Sequence, residues 1–353
     1  MRIEDVKKKD MDEILELEAL AFSGSRSKAE TVRKELANYR GFKVVEDGKI
    51  VSSAFVGERR MNYGGQLFKN AGISYVATLP EYRYRGYVRK LFEHMFDVFL
   101  KDDYPVTSLY AFKIEYYRKF GYEVISQNYR YEVEADMIPL MKSEYRVEFL
   151  DEAAVSRYVD YFNSTFLKMY NGALSKSDEA EKIYREWMLK FEGCSHYKWG
   201  LILDGKDEPK GMFGFFLKSK RVINFFEVLL EDEEALKCFL NYVKNYKDQA
   251  KKIKLTVSED NRIEYLFKTT YFKKVVGTQQ MSRIMDFERF LPFMEFEDGE
   301  YGIGIADGNL ERNNRFFKIS VHDGKMEGEK KKGVEPVEEP QAVNSPERRN
   351  DRT

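Results

Sequence analysis

The chain has 353 residues, too many for one ordinary domain and suited to two or three. Its 59 basic and 60 acidic residues leave a formal net charge of -1, which excludes a global field favouring nucleic acid or an anionic membrane. Two cysteines, Cys194 and Cys238, and three scattered histidines, His94, His196 and His322, exclude a disulfide framework, a thiolate metal cage and a histidine-based triad, so no metal is expected.

The opening Met1–Ile14 is charged and has no apolar core, so no signal peptide is expected there. Met11–Phe22 then places Ile14, Leu17 and Ala21 at helical spacing. Gly41–Val45, Lys49–Gly57 and Gln66–Phe68 read as short strands, with Asp47-Gly48 as a hairpin turn between the first two. Ile73–Leu79 is a further strand, halted by Pro80. Val88, Leu91, Phe92, Met95, Phe96 and Phe99 follow on one helical face. Val106–Phe112 reads as a strand, Glu115–Phe120 as a short helix, and Tyr122–Ala135 as strand-rich.

After about residue 145 the same order returns. Ala153–Lys168 and Asp178–Phe191 read as helices, and Tyr197–Leu203, Lys210–Lys218 and Arg221–Leu230 as strands. A helix over Glu231–Tyr246, a strand over Ile253–Val257 and a short helix over Arg262–Lys268 complete the series. Ile73–Phe112 matches Ile223–Val257, and Glu115–Tyr122 matches Glu264–Tyr271, which we read as an internal repeat. Each copy is expected to be α/β (α+β), with a mixed, mainly antiparallel sheet flanked by helices. In a third segment Glu300–Asp307 and Phe316–His322 read as paired strands, with a turn at His322–Lys325. From Lys330 the chain turns polar and proline-rich, and 335–353 is expected to be disordered because it has almost no apolar surface to bury. No apolar run approaches the ~18–20 residues a membrane span needs, and a cytoplasmic protein is expected.

The chemistry is carried by Ile73–Arg89. A strand runs into a turn with Arg83, Arg85 and Gly86, and that turn opens an amphipathic helix. The first turn of a helix presents unpaired N–H groups and the positive end of its dipole, which suit phosphate oxygens. Glycine lets the backbone approach a pyrophosphate closely, and the two arginines add charge. Arg83-Tyr84-Arg85-Gly86-Tyr87-Val88 resembles the R/Q-x-x-G-x-G/A acetyl-CoA motif of the GNAT superfamily of N-acetyltransferases, with Val88 in place of the usual small residue. The Gly86-x-x-Arg89 form resembles the enhanced intracellular survival (Eis-type) subfamily, which has two tandem GNAT domains followed by a sterol-carrier-like domain. The resemblance implies a catalytic GNAT domain over 1–140, a degenerate one over 141–290 and a partial sterol-carrier-like domain over 291–334.

It also implies that Val76, Ala77 and Thr78 meet the pantetheine arm and thioester of acetyl-CoA, and that Arg83, Tyr84, Arg85, Gly86, Tyr87, Val88 and Arg89 hold the pyrophosphate. Tyr116-Tyr117-Arg118-Lys119-Phe120-Gly121-Tyr122 resembles a second family marker, with Lys119 where the family has arginine. By that match Tyr117 is the general acid for the departing thiolate. A tyrosine of pKa near ~10 suits a thiol of pKa near ~8.5. Phe112 departs from a family serine. Acetyl transfer would proceed by direct attack of a neutral amine on the thioester, stabilised by a backbone N–H. The acceptor class implied is a primary amine, aminoglycoside-like or a lysine side chain, and the subfamily forms homo-oligomers, hexamers among them. The alternative is a non-catalytic acyl-CoA-binding or scaffold protein that retains the fold. In the subfamily the C-terminal carboxylate helps to deprotonate the amine. The chain's short third segment and its end at Thr353 keep that role from being carried over. The second repeat carries Glu231-Asp232-Glu233-Glu234 where phosphates would sit, so one site per chain is expected. Lys7–Lys9 and Lys330–Lys332 read as solvated surface, and neither nucleic acid nor membrane is expected as a partner.

Overall fold

A computed structural model of the chain describes residues 1–22, 29–191, 194, 196–219, 222–258, 260–277, 280–323 and 325–331. The expected disordered tail, 335–353, lies outside them. The chain forms two compact units, Met1–Met285 and Asp286–Thr353.

The first unit opens with β1 (Arg2–Asp5), α1 (Met11–Ala21), α2 (Ala29–Leu36), β2 (Arg40–Glu46), β3 (Lys49–Tyr63) and β4 (Gln66–Thr78). α3 (Tyr87–Lys101), β5 (Val106–Tyr110), α4 (Ile114–Arg118) and β6 (Glu123–Val124) follow. β3 and β4 are longer than the short strands expected. The exposed polar stretch around Glu58 breaks the apolar pattern, but Glu58, Arg59 and Arg60 still pair with Ala71, Asn70 and Lys69. Gly64 and Gly65, at φ 55° and 74°, turn the chain between these strands, as Asp47 and Gly48 (φ 51° and 80°) do between β2 and β3. α1 and α2 cover one face of the sheet, packing with Val45, Phe55 and Ala77. α3 covers the other, where His94 meets Phe42 edge-on at 5.6 Å. Leu91, Phe92, Met95, Phe96 and Phe99 are its buried face, as the sequence periodicity requires.

β7 (Asn128–Glu134) and β8 (Arg146–Leu150) lead into α5 (Val155–Tyr161), which runs through a π-turn into α6 (Leu167–Met169). Then come α7 (Asp178–Phe191), β9 (His196–Leu203), β10 (Pro209–Ser219), β11 (Val222–Leu230), α8 (Glu233–Lys244), β12 (Lys252–Ser258), β13 (Lys273–Gly277) and β14 (Gln280–Ile284). The expected fold class, mixed α/β with mainly antiparallel sheets between helices, is what the structure has. Two seven-stranded sheets form, in the orders β1-β2-β3-β4-β5-β14-β6 and β13-β7-β12-β11-β10-β9-β8. Among the described residues only β4–β5 and β11–β12 are parallel pairs.

The two orders are the same pattern with one strand exchanged. β14, from the end of the second repeat, lies between β5 and β6 of the first sheet. β7, from between the repeats, lies between β12 and β13 of the second. Each sheet is therefore completed by a strand distant in sequence.

The second unit, by itself, holds α9 (Phe287–Phe290) and a three-stranded antiparallel sheet of β15 (Gly299–Ile305), β16 (Arg315–His322) and β17 (Lys325–Lys331). Phe317, Ile319 and Val321 alternate on the buried face of β16, and Phe287 packs on Phe317 at 4.8 Å. Among the described residues no helix is long and apolar enough to cross a membrane.

Candidate active site

The site begins with a kink in β4. Tyr75 has φ 50°, and the ladder to β3 skips from Ser74 (opposite Phe55) to Ala77 (opposite Ser53). This bulge bends the strand and leaves Tyr75 and Val76 out of the pairing. The parallel pairing of β4 with β5 ends just before it, at Ile73 opposite Leu109. Beyond Ile73 the ladder between the two strands stops, an opening in the pairing that leaves Val76–Thr78 of β4 without β5 partners. Val76 and Thr78 are partly exposed and Ala77 is buried. Ser52 donates from Oγ to the Ala77 carbonyl at 2.7 Å, and Leu79 N–H donates to Val51 O, fixing the far end of the strand.

A single 3-10 turn, Pro80–Tyr82, then carries the chain into α3. Tyr84 and Gly86 both have positive φ, 64° and 80°. Gly86 is the N-cap residue, and α3 has neither a capping side chain nor an acid in its first turn, so its first N–H groups face outward uncapped. A Cβ built on Gly86 would meet nothing within 4 Å, so the space before the helix is open. Arg85 donates to the Glu81 carbonyl at 3.0 Å and lies 4.9 Å from the Tyr82 ring centre, while Arg83 Nε donates to the Thr78 carbonyl at 3.4 Å. Arg83, Tyr84, Arg85, Gly86 and Arg89 are all exposed, Val88 is half-buried, and Tyr87 is buried beneath the turn. The structure therefore gathers the sequence-selected residues 76–78 and 83–89 along one strand end and one helix start.

Tyr117, on the short helix α4 after β5, is 4% exposed. Its ring lies against Tyr116 at 5.2 Å, Phe112 at 5.7 Å, Phe92 at 6.2 Å and Tyr122 at 6.3 Å. Burial, with a smaller contribution from Tyr116, pushes its pKa well above that of a free tyrosine, so it keeps its proton through the physiological range. Phe92 belongs to α3, so the helix that opens at Gly86 also seats Tyr117. Gly121, at φ 79°, ends the turn, and the buried Arg283 of β14 donates to the Phe120 carbonyl beside it.

The corresponding place in the second sheet differs. Glu227 in β11 has φ 49° and a ladder shift around it, so the kink is repeated. Pairing with β12 nevertheless resumes beyond the kink, at Val228 opposite Val257, and no comparable opening forms. Asp232 caps α8 by accepting from Ala235 N–H at 2.7 Å, which occupies the helix start with a carboxylate. Glu227 itself is held with Glu181 by the Lys176 ammonium, at 2.8 Å and 2.7 Å.

Residues 2–125 match the acetyltransferase (GNAT) domain family. The fold is the GNAT fold. No curated protein matches the chain. Among solved structures, a protein of unknown function from Enterococcus faecalis V583, titled a probable N-acyltransferase, is 18% identical. It aligns over 93% of this chain and 84% of its own, with a TM-score of 0.83. A GCN5-related N-acetyltransferase from Anabaena variabilis is 21% identical over 94% of this chain and 86% of its own, with a TM-score of 0.82. Eis1 from Mycobacterium abscessus is 16% identical over 95% and 86%, with a TM-score of 0.75. At these identities the likeness shows a shared fold across both units.

Two GNAT-domain residues beside the opening were not selected from the sequence, Glu18 and Tyr75. The signal for Glu18 was present: it falls four residues after Ile14, inside the apolar stripe of α1. Arg283 carried no signal, because nothing in the sequence assigns β14 to the first sheet.

Proposed function

We propose that the first repeat is an acetyl-CoA-dependent N-acetyltransferase of the Eis type, with one active site per chain. The observation that carries this reading is the opening between β4 and β5 next to an uncapped, arginine-flanked helix start, set against a second sheet in which both features are closed off. In this reading the α3 N–H groups with Arg83, Arg85 and Arg89 hold the pyrophosphate, and the backbone of Val76–Thr78 aligns the pantetheine arm. Tyr117 donates its proton to the leaving thiolate, and a primary amine, aminoglycoside-like or a lysine side chain, attacks directly. The second unit is read as a shortened sterol-carrier-like domain, and homo-oligomerisation belongs to the same proposal.

Calorimetric titration with acetyl-CoA tests the cofactor site. Gly86→Glu places a carboxylate where the pyrophosphate would lie, at a φ of 80° that an L side chain resists, and is expected to abolish binding. Unchanged affinity in this variant rejects the site.

A further inference from the structure

An amine acceptor reaches neutral water as an ammonium ion and must lose a proton before it can attack a thioester. Tyr117 holds its proton and cannot take another. The carboxylates near the opening therefore decide how the reaction begins.

Glu18 lies on the face of α1 turned to the sheet, among Ile14, Leu15 and Leu17, and is 4% exposed. Ser53 Oγ donates to its Oε1 at 2.9 Å. Its Oε2 is buried and has no hydrogen-bond partner, and among the described residues no cation pairs with it. A buried carboxylate left half-satisfied is costly to a fold. Its place in the sheet is specific. Ser53 stands opposite Ala77, at the downstream lip of the β4 bulge. Tyr75, the kinked residue, turns to the same α1–α2 face, where its hydroxyl donates to Glu35 at 2.5 Å and its ring meets Phe22 and Phe55 edge-on at 6.3 and 6.5 Å. The α1–α2 face is the one opposite α3, so a group entering there meets the kinked strand from the side away from the phosphate turn.

We propose that Glu18 is the general base of the acetyl transfer, with its free Oε2 receiving the proton of the acceptor ammonium. This rests on the N-acetyltransferase reading above. The ammonium gives one proton to the Glu18 carboxylate, and the freed lone pair forms the N–C bond at the thioester carbonyl. The C–S bond breaks, the thiolate takes the Tyr117 proton, and the second proton shed by the nitrogen restores Tyr117 through water. Glu18 returns its proton to solvent, so each turnover makes one amide, one thiol and one free proton. The titratable group beside Glu18 is Tyr75 from β4; Glu35 of α2 and Tyr39 surround Tyr75 in turn, with Arg59 of β3 beside Tyr39. Burial pushes Glu18 up to about 8, with the Ser53 hydrogen bond opposing, which matches the carboxylate to an ammonium in mildly alkaline solution, above that value.

The test uses the full chain, acetyl-CoA, and a panel of aminoglycosides and Nα-acetyl-lysine amide, with coenzyme A release followed against pH. Glu18→Gln is expected to lower kcat about 10²-fold with acetyl-CoA affinity unchanged. The wild type is expected to show an acidic limb near pH 8, and in this variant the limb should move to the acceptor's own amine pKa. Ser53→Ala, which removes the donor to Oε1 and keeps the carboxylate, should shift the limb to higher pH. Wild-type turnover with kcat and limb unchanged in Glu18→Gln overturns the base and leaves the transferase reading intact. Acetyl-CoA binding with no coenzyme A release on any of these amines overturns both.

Discussion

Tyr117 and Glu18 are pushed in the same direction by the same force, with opposite consequences. Burial keeps the phenol protonated, as an acid requires, and raises the carboxyl into the range where it can accept a proton. Tyr117→Phe keeps the ring in its aromatic nest and removes only the proton. It is expected to lower kcat about 10²-fold with little change in the KM for acetyl-CoA, measured by steady-state coenzyme A release. A parallel rise in KM would point to a binding role. For Glu18 the raised pKa also makes a stability prediction. The folded chain holds the Glu18 proton up to about 8, while the unfolded chain loses it near 4.5. This contribution to stability is fully present below about 4.5 and is lost as pH rises through about 8. Glu18→Gln, which cannot ionise, should therefore gain Tm relative to wild type across that window. A Tm difference that is flat with pH would contradict the burial argument.

At the scale of elements, the two bulged strands show how little separates an open site from a closed one. Both β4 and β11 kink at a residue of positive φ, yet one more pair with the parallel neighbour closes β11 while β4 stays apart. The helix that follows is uncapped after β4 and capped by Asp232 after β11. β14 supports the open site from outside its own repeat: Arg283 donates to the Phe120 carbonyl and lies 4.9 Å from the Phe96 ring centre, fixing the turn that carries Tyr117. Arg283→Met retains most of the packing volume but abandons the carbonyl. We expect a loss of roughly 2–3 kcal/mol, read by urea titration, together with a fall in kcat. A stable but inactive variant would mean that Arg283 positions Tyr117 without holding the fold.

At the scale of the whole molecule, strand exchange couples the two repeats. Removing the second repeat takes β14 from between β5 and β6 and leaves both edges bare, a state prone to aggregation. A fragment of residues 1–140 is accordingly expected to aggregate or remain unfolded, as size-exclusion chromatography and circular dichroism would report. A monomeric folded fragment would mean that another strand fills the gap. The exchange also explains a limit of sequence reading. The order of the longer elements in each repeat, the α3 face and the glycine turn before α3 were legible, because periodicity and turn residues act between neighbours in the chain. β1, α2, β8, β13 and β14 were among the elements missed: β1 is a four-residue strand, α2 a polar helix beside a segment without pattern, and the other three are strands of five residues. β3 and β4 were cut short where charged residues pair across a hairpin instead of facing a core.

The sequence by itself determined the strand–turn–helix over Ile73–Phe99: an arginine-flanked turn, a glycine free to take φ 80°, and a helix with no acid in its first turn. It also determined that the second copy carries acids in that place. Only the tertiary structure decided that β4 and β5 part beyond Ile73, that β14 and β7 change sheets, and that the lone carboxylate on the stripe of α1 is buried beside the kink. The reason is physical. Glycine conformation, capping and helical periodicity are set by residues a few positions apart. Strand pairing uses backbone groups that every strand possesses, so partner choice and the burial that follows it are settled only when the whole core packs.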